Sequence, residues 1–193
     1  MRYPVDYIVV TQPFKNHYGV DLGWSSKILG KNQPIYAVDD GVVIYNRHQI
    51  SGGYVIQIRH NNGFVSEYGH LKKNSQKVHE GDKVKKGQHI ADMGGTGIVT
   101  GNHLHFGLYK GTSINYKDRS KFVNPLLYLY VYDGQTVNPG TLEKYNILYN
   151  HDPYQKGIYK CLYNMNIRRT PNGERVKVKE CTNAMKPALV SQN

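Results

Sequence analysis

Cysteine is nearly absent from this chain: there are two, Cys161 and Cys181, both near the end and without C-x-x-C spacing. That argues against a thiolate-held metal finger and against a disulfide framework, and leaves open two free thiols or one late disulfide. Long apolar runs are also missing. No stretch reaches the ~20 residues of a membrane-crossing helix, and the opening Met1-Arg2-Tyr3-Pro4-Val5-Asp6 leads into no apolar core of a secretory signal. No membrane partner is expected. Leucine-rich helical periodicity is scarce, which argues against a helix bundle. Acidic residues are few, 14 against 25 Lys plus Arg, for a formal net charge of +11. Such an excess favours polyanionic surroundings, either nucleic acid or anionic wall polymers, although it also serves simply as a solubilising surface.

What the chain has instead is glycine, tyrosine and short β-branched segments separated by turn residues. Tyr54 to Arg59 alternates in character, Asn61-Asn62-Gly63 turns the chain, and Phe64 to Tyr68 returns, a strong hairpin signal. Pro34 to Val38 and Gly41 to Tyr45 flank a turn at Asp39-Asp40-Gly41, and His103 to Tyr109 reads as a further strand. The expectation is a mainly β protein: one all-β domain over 1–131, a linker over 132–153 marked by breakers such as Asn138-Pro139-Gly140, and a small appendage over 154–193.

Three histidine clusters stand out among the nine histidines: His17-Tyr18-Gly19-Val20-Asp21, Tyr68-Gly69-His70-Leu71 and His103-Leu104-His105-Phe106. On a strand, residues i and i+2 share a face, so His103 and His105 project together while Leu104 and Phe106 point to the core. Two imidazoles side by side repel when both are protonated. A metal, or a division into ligand and base, removes the conflict. A hydrolytic zinc site takes three protein ligands and keeps one position for water, whose pKa the metal lowers towards neutrality. Asp21 follows His17 by four residues, and Gly19 lets the intervening loop bend so that both side chains converge. Taken singly, an H-x-x-x-D or an H-x-H is weak evidence, and spacing alone does not say which of His103 and His105 binds metal.

In order along residues 13–129, these motifs resemble the lysostaphin/LytM family of zinc metallopeptidases. The markers are His17 to Asp21, Pro34 to Val43, Gly52 to Ile58, Tyr68 to Leu71, Gly81 to Gln88, Gly94-Gly95-Thr96-Gly97, Gly101 to Phe106 and Val123-Asn124-Pro125. The resemblance implies one zinc ion held by His17, Asp21 and His105, with His70 and His103 as the catalytic pair. It also implies an antiparallel sheet or half-barrel with a groove, and cleavage of peptide bonds in bacterial peptidoglycan. Tyr68, two residues before His70, and the glycine loop at Gly94, Gly95 and Thr96 are expected to meet the substrate. Asn102 and Gly107 depart from the family, which often has proline and an acidic residue there. Lys110 to Lys121 resembles an insertion that shapes a groove wall. Only sixteen residues precede His17, too few for the inhibitory propeptide of some relatives.

Within the tail, Met165-Asn166-Ile167-Arg168-Arg169-Thr170-Pro171 is similar to the opening of bacterial SH3-like wall-binding domains, in a module shorter than those usually are. A basic tail explains the same residues. The expected partners are peptidoglycan and, through the basic surface, anionic wall polymers, reached by phage lysis or virion delivery. The expected state is a monomer. Three other readings compete. A non-catalytic relative would typically lose a zinc ligand. A biotinyl or lipoyl carrier would share Glu80 to Gln88 but lacks the lysine signature. A nucleic-acid binder is suggested by charge alone, without a recognition motif, so no nucleic-acid partner is expected.

Overall fold

A computed structural model describes residues 1–15, 17–23 and 33–150 of the chain. Its strands are β1 (Tyr7–Ile8), β2 (Val10–Gln12), β3 (Val20–Gly23), β4 (Pro34–Tyr36), β5 (Gly41–Gln49), β6 (Gly53–His60), β7 (Phe64–Leu71), β8 (Lys83–Val84), β9 (His89–Asp92), β10 (His103–Lys110), β11 (Tyr130–Val131), β12 (Thr136–Val137) and β13 (Leu148–Tyr149), with one short helix, α1 (Pro139–Lys144), among the described residues. The fold is all-β, as the sequence implied. The Asn61-Asn62-Gly63 turn joins β6 to β7, and Gly63 adopts φ of 82° as a tight turn demands. None of the described helices is long and apolar enough to cross a membrane.

Seven strands form one antiparallel sheet in the order β2-β3-β10-β7-β6-β5-β8. Late in the chain but central in the sheet, β10 lies between β3 and β7. His105 thereby sits opposite Asp21 on one side and opposite Gly69 on the other. Strand alternation then sorts the faces. Leu22, Ile56, Ile58, Tyr68, Leu104, Phe106 and Leu108 are fully buried, and all but Leu108 belong to a core that also takes Ile35 of β4 and Ile90 of β9. His103 and His105 lie on the other, partly open face. Towards its far end that face is covered by a smaller apolar group, Val65, Tyr109 and Phe122, with Tyr18 and Ile114 packed against it.

The expected linker over 132–153 is corrected for residues 132–150. Strand β12 pairs with β1, and β13 pairs with β11. The Val10 N–H donates to Thr141 Oγ1 over 3.0 Å, and the Gln135 amide donates to the carbonyls of Tyr3 and Val5 over 3.0 and 2.6 Å. Breaker residues mark turns, but they do not distinguish a free connection from a docked one. The N-terminal strand has backbone groups that need partners, and this segment supplies them. The appendage over 154–193, its SH3-like motif, Cys161 and Cys181 lie outside the described residues.

Candidate metal centre and its flanking histidines

Asp21 on β3 is 8% exposed and directly faces His105 on β10. The turn before β3 brings His17 over the same point. His17 Nε2 lies 2.8 Å from Asp21 Oδ1, His105 Nδ1 lies 3.1 Å from that oxygen, and the two nitrogens are 3.1 Å apart. Two imidazole nitrogens and a carboxylate oxygen crowded this closely repel through their lone pairs unless a proton or a cation sits among them. Tetrahedral zinc with bonds of ~2.0–2.1 Å sets its ligand atoms roughly 3.3 Å apart, so donor types and spacing both fit that ion. Burial by itself would raise the Asp21 carboxyl, but hydrogen bonding to His105 and His17 outweighs it and holds the group well below the usual carboxylate range.

Gly19 serves the site through space rather than through bending. A Cβ there would lie 2.4 Å from the Phe106 carbonyl oxygen and 2.8 Å from His105 Cε1, and the residue has no positive φ. The loop that carries His17 can rest on β10 only because this position has no side chain.

His70 and His103 flank the three candidate ligands. Their ring centroids are 4.8 Å apart, and that of His70 is 6.0 Å from that of His105. His70 has φ of 60°, a left-handed conformation rare outside glycine and concentrated at functional sites. Its backbone N–H donates to the Gly52 carbonyl over 2.8 Å, and its Nδ1–H donates to the Thr96 carbonyl over 2.9 Å, while Nε2 has no hydrogen-bond partner among the described residues. Burial pushes the His70 imidazole below its ordinary value. The bond to Thr96 opposes that shift, and the neighbouring His103 and His105 add to it. His103 donates from Nδ1 to the Gly101 carbonyl over 3.0 Å, and its Nε2 lies 3.8 Å from Asp21 Oδ2. All five histidine and aspartate positions expected from the sequence therefore meet in one place.

The expected substrate contacts fare differently. Tyr68 is fully buried against Phe106, so it does not line the open face. The left-handed turn at His70 breaks the strand alternation that had placed both residues together. The Tyr68 hydroxyl instead accepts from the Val38 N–H and meets Ser66 Oγ. Gly94 is buried, and a Cβ there would lie 2.5 Å from the Lys72 backbone nitrogen, so this glycine serves packing. Gly95 is exposed beside Asn102. Thr96 is a positioning residue: its Oγ1 donates to the Leu71 carbonyl over 2.6 Å and accepts from the Tyr54 N–H over 3.0 Å, while its carbonyl holds His70.

Sequence reasoning passed over Glu67. It is buried on the open face in register with Gly107, and Gln57 and Tyr116 both donate to it. A charged residue in the middle of the returning strand of the hairpin was the signal available.

Residues 15–125 match the profile of peptidase family M23. Over 97 residues the chain is 39% identical to the peptidoglycan DD-endopeptidase ShyC of Vibrio cholerae, a match covering 50% of this chain and 21% of that protein. Over 112 residues it is 40% identical to the murein hydrolase activator NlpD of Escherichia coli, covering 58% of this chain and 25% of the relative. The chain thus spans about a quarter or less of the length of these relatives. Among solved structures, a zinc-containing peptidase from Vibrio cholerae superposes with a TM-score of 0.53 at 32% identity, over 64% of this chain and 38% of that one. Lysostaphin from Staphylococcus simulans superposes with a TM-score of 0.52 at 30% identity, over 63% and 47%.

Proposed function

Because the chain belongs to peptidase family M23, we propose that it is a zinc-dependent endopeptidase that hydrolyses peptide bonds in the stem peptides or cross-bridges of bacterial peptidoglycan. The observation that carries this reading is the convergence of His17, Asp21 and His105 within 4.8 Å, with His70 and His103 beside them. Zinc held by those three side chains would polarise the scissile carbonyl and make hydroxide available near neutral pH.

The remaining chemistry falls to the chain's own groups. His103 has its Nδ1–H committed to Gly101, so Nε2 takes the proton from the attacking water and returns it to the leaving amine. His70 has its Nδ1–H committed to Thr96. Its neutral Nε2 accepts a hydrogen bond from the attacking water and so orients it. Gly95 is exposed and places its backbone within reach of a substrate. The surplus of positive charge, +11, favours retention on anionic wall polymers. On this reading the site of action is the bacterial wall, reached by phage lysis or virion delivery. If purified protein added from outside leaves susceptible walls intact, that route is wrong.

A second reading is favoured by the similarity to murein hydrolase activators: a LytM-like protein that binds the wall without cutting it. Zinc-loaded protein incubated with purified walls of several cross-link types separates the two. The peptidase releases new amino termini that mass spectrometry assigns to one bond; the binder retains the wall and releases none.

A further inference from the structure

The open face holds one buried acid that the mechanism above does not use. Glu67 on β7 lies two positions before Gly69, opposite Gly107 on β10 and Gln57 on β6, and is 7% exposed. Gln57 Nε2 donates to its Oε2 over 2.6 Å, and the Tyr116 hydroxyl donates to the same oxygen. Both donors are neutral. No lysine, arginine or histidine among the described residues forms an ion pair with Glu67, and Oε1 has no hydrogen-bond partner among them. Nor is Oε1 one of the sealed, unsatisfied polar atoms of the interior. It therefore keeps some accessible surface.

A largely buried carboxylate without a cation is unfavourable, and a protein that keeps one keeps it for a partner or a switch. On the side of the metal centre the neighbouring positions carry no side chain, although the Tyr18 carbonyl and the Phe122 ring lie close over Gly107. Gly107 stands across from Glu67, a Cβ there would come within 3.4 Å of Glu67 Cβ, and the next position on the same face of β7 is Gly69, opposite His105. Two strand positions separate Glu67 from that point, roughly 7 Å, or about two residues of an extended peptide.

We propose that Glu67 is a specificity-determining residue whose Oε1 accepts a protonated primary amine of the peptide bound near the metal centre. The inference rests on the reading of the chain as a wall-peptide hydrolase. The amine is either the free side-chain amine of a diamino acid in a stem peptide or the free N-terminus of a glycine bridge. A purely structural Glu67 would instead tether the loop carrying Tyr116.

The test is a binding measurement on the zinc-loaded full chain in a His103→Ala background, so that no ligand is consumed. The probes are a stem tetrapeptide with a free side-chain amine, pentaglycine with a free N-terminus, and the N-acetylated form of each. Acetylation should weaken binding of one pair about tenfold, the loss of a charge-assisted hydrogen bond, and the affected pair identifies the source of the amine. Glu67→Gln should bind both forms alike, at the weaker level. Tyr116→Phe, which keeps the charge and cuts the tether, should retain the preference. Absence of any preference in the parent overturns the proposal, as does its persistence in Glu67→Gln or its equal loss in Tyr116→Phe. Failure of the peptidase reading would show elsewhere, as zinc-loaded wild-type protein that binds these peptides but never cleaves a wall.

Discussion

The imidazole of His70 is held by a backbone carbonyl: its Nδ1–H donates to the oxygen of Thr96 over 2.9 Å. Thr96 is itself pinned by Oγ1, between the Leu71 carbonyl and the Tyr54 N–H. This pinning sets both the tautomer and the aim of the ring. Thr96→Val removes the two Oγ1 bonds and should lower kcat about tenfold, in line with the sensitivity of catalytic groups to small misplacement. KM and bound zinc should stay unchanged. A kcat equal to wild type would show that the carbonyl holds without its anchor.

Ligand and proton carrier separate by substitution. His105→Ala should lose zinc and activity together, since it deletes one of the three converging atoms. His103→Ala should retain zinc by atomic absorption while turnover falls by about 10²–10⁴. Wild-type turnover in that variant would remove His103 from the mechanism.

Gly19→Ala tests the close approach of the His17 loop to β10. The new methyl meets the Phe106 carbonyl at 2.4 Å, backbone that cannot swing aside. We expect destabilisation of about 1–3 kcal/mol and weaker zinc binding, read by thermal melting with and without metal. An unchanged zinc affinity would mean that the loop yields without moving His17.

His60 supplies a pH dependence remote from the metal centre. Burial holds its imidazole below the ordinary histidine value, a shift that the bond to the Asp40 carbonyl opposes. With Nδ1–H donating to that carbonyl over 2.8 Å, neutral Nε2 accepts from Ser66 Oγ over 2.7 Å, and Ser66 in turn meets the Tyr68 hydroxyl. The folded-state pKa is depressed, so the unfolded chain binds the proton more readily. Stability is full above the unfolded value of ~6.5 and falls as pH drops towards the folded value. Denaturant melts between pH 8 and 5 should show this loss, and His60→Gln should reduce it, leaving the part that His70 contributes with the same sign.

Shortening the chain tests the docked segment. A chain ending at residue 131 should be less stable than one ending at 150. It removes the partners of the Val10 N–H and of the Tyr3 and Val5 carbonyls, and it uncovers Val137's place against the core. Equal denaturant midpoints for the two would return residues 132–150 to the status of a linker.

The strand pattern was legible because it rests on local rules, whereas the choice of His17, Asp21 and His105 as candidate ligands came from the family resemblance and not from spacing. The alternation around His103 and His105 placed one pair of residues inward and the other outward, and the structure keeps that division. Tyr68 was misplaced by the same rule, because one left-handed residue at His70 interrupts it. The docking of residues 132–150 was hidden, since the carbonyls it satisfies lie more than a hundred residues away.

The amino-acid sequence by itself determined an all-β chain, its central hairpin and the three histidine clusters from which the candidate site is drawn, because side-chain chemistry and period-two alternation are read from neighbours. Only the tertiary structure decided that β10 enters between β3 and β7, that Thr96 aims His70, and that Glu67 is buried with one oxygen that has no hydrogen-bond partner among the described residues. Strand order, carbonyl positions and burial arise from contacts between distant segments, and no local pattern encodes them.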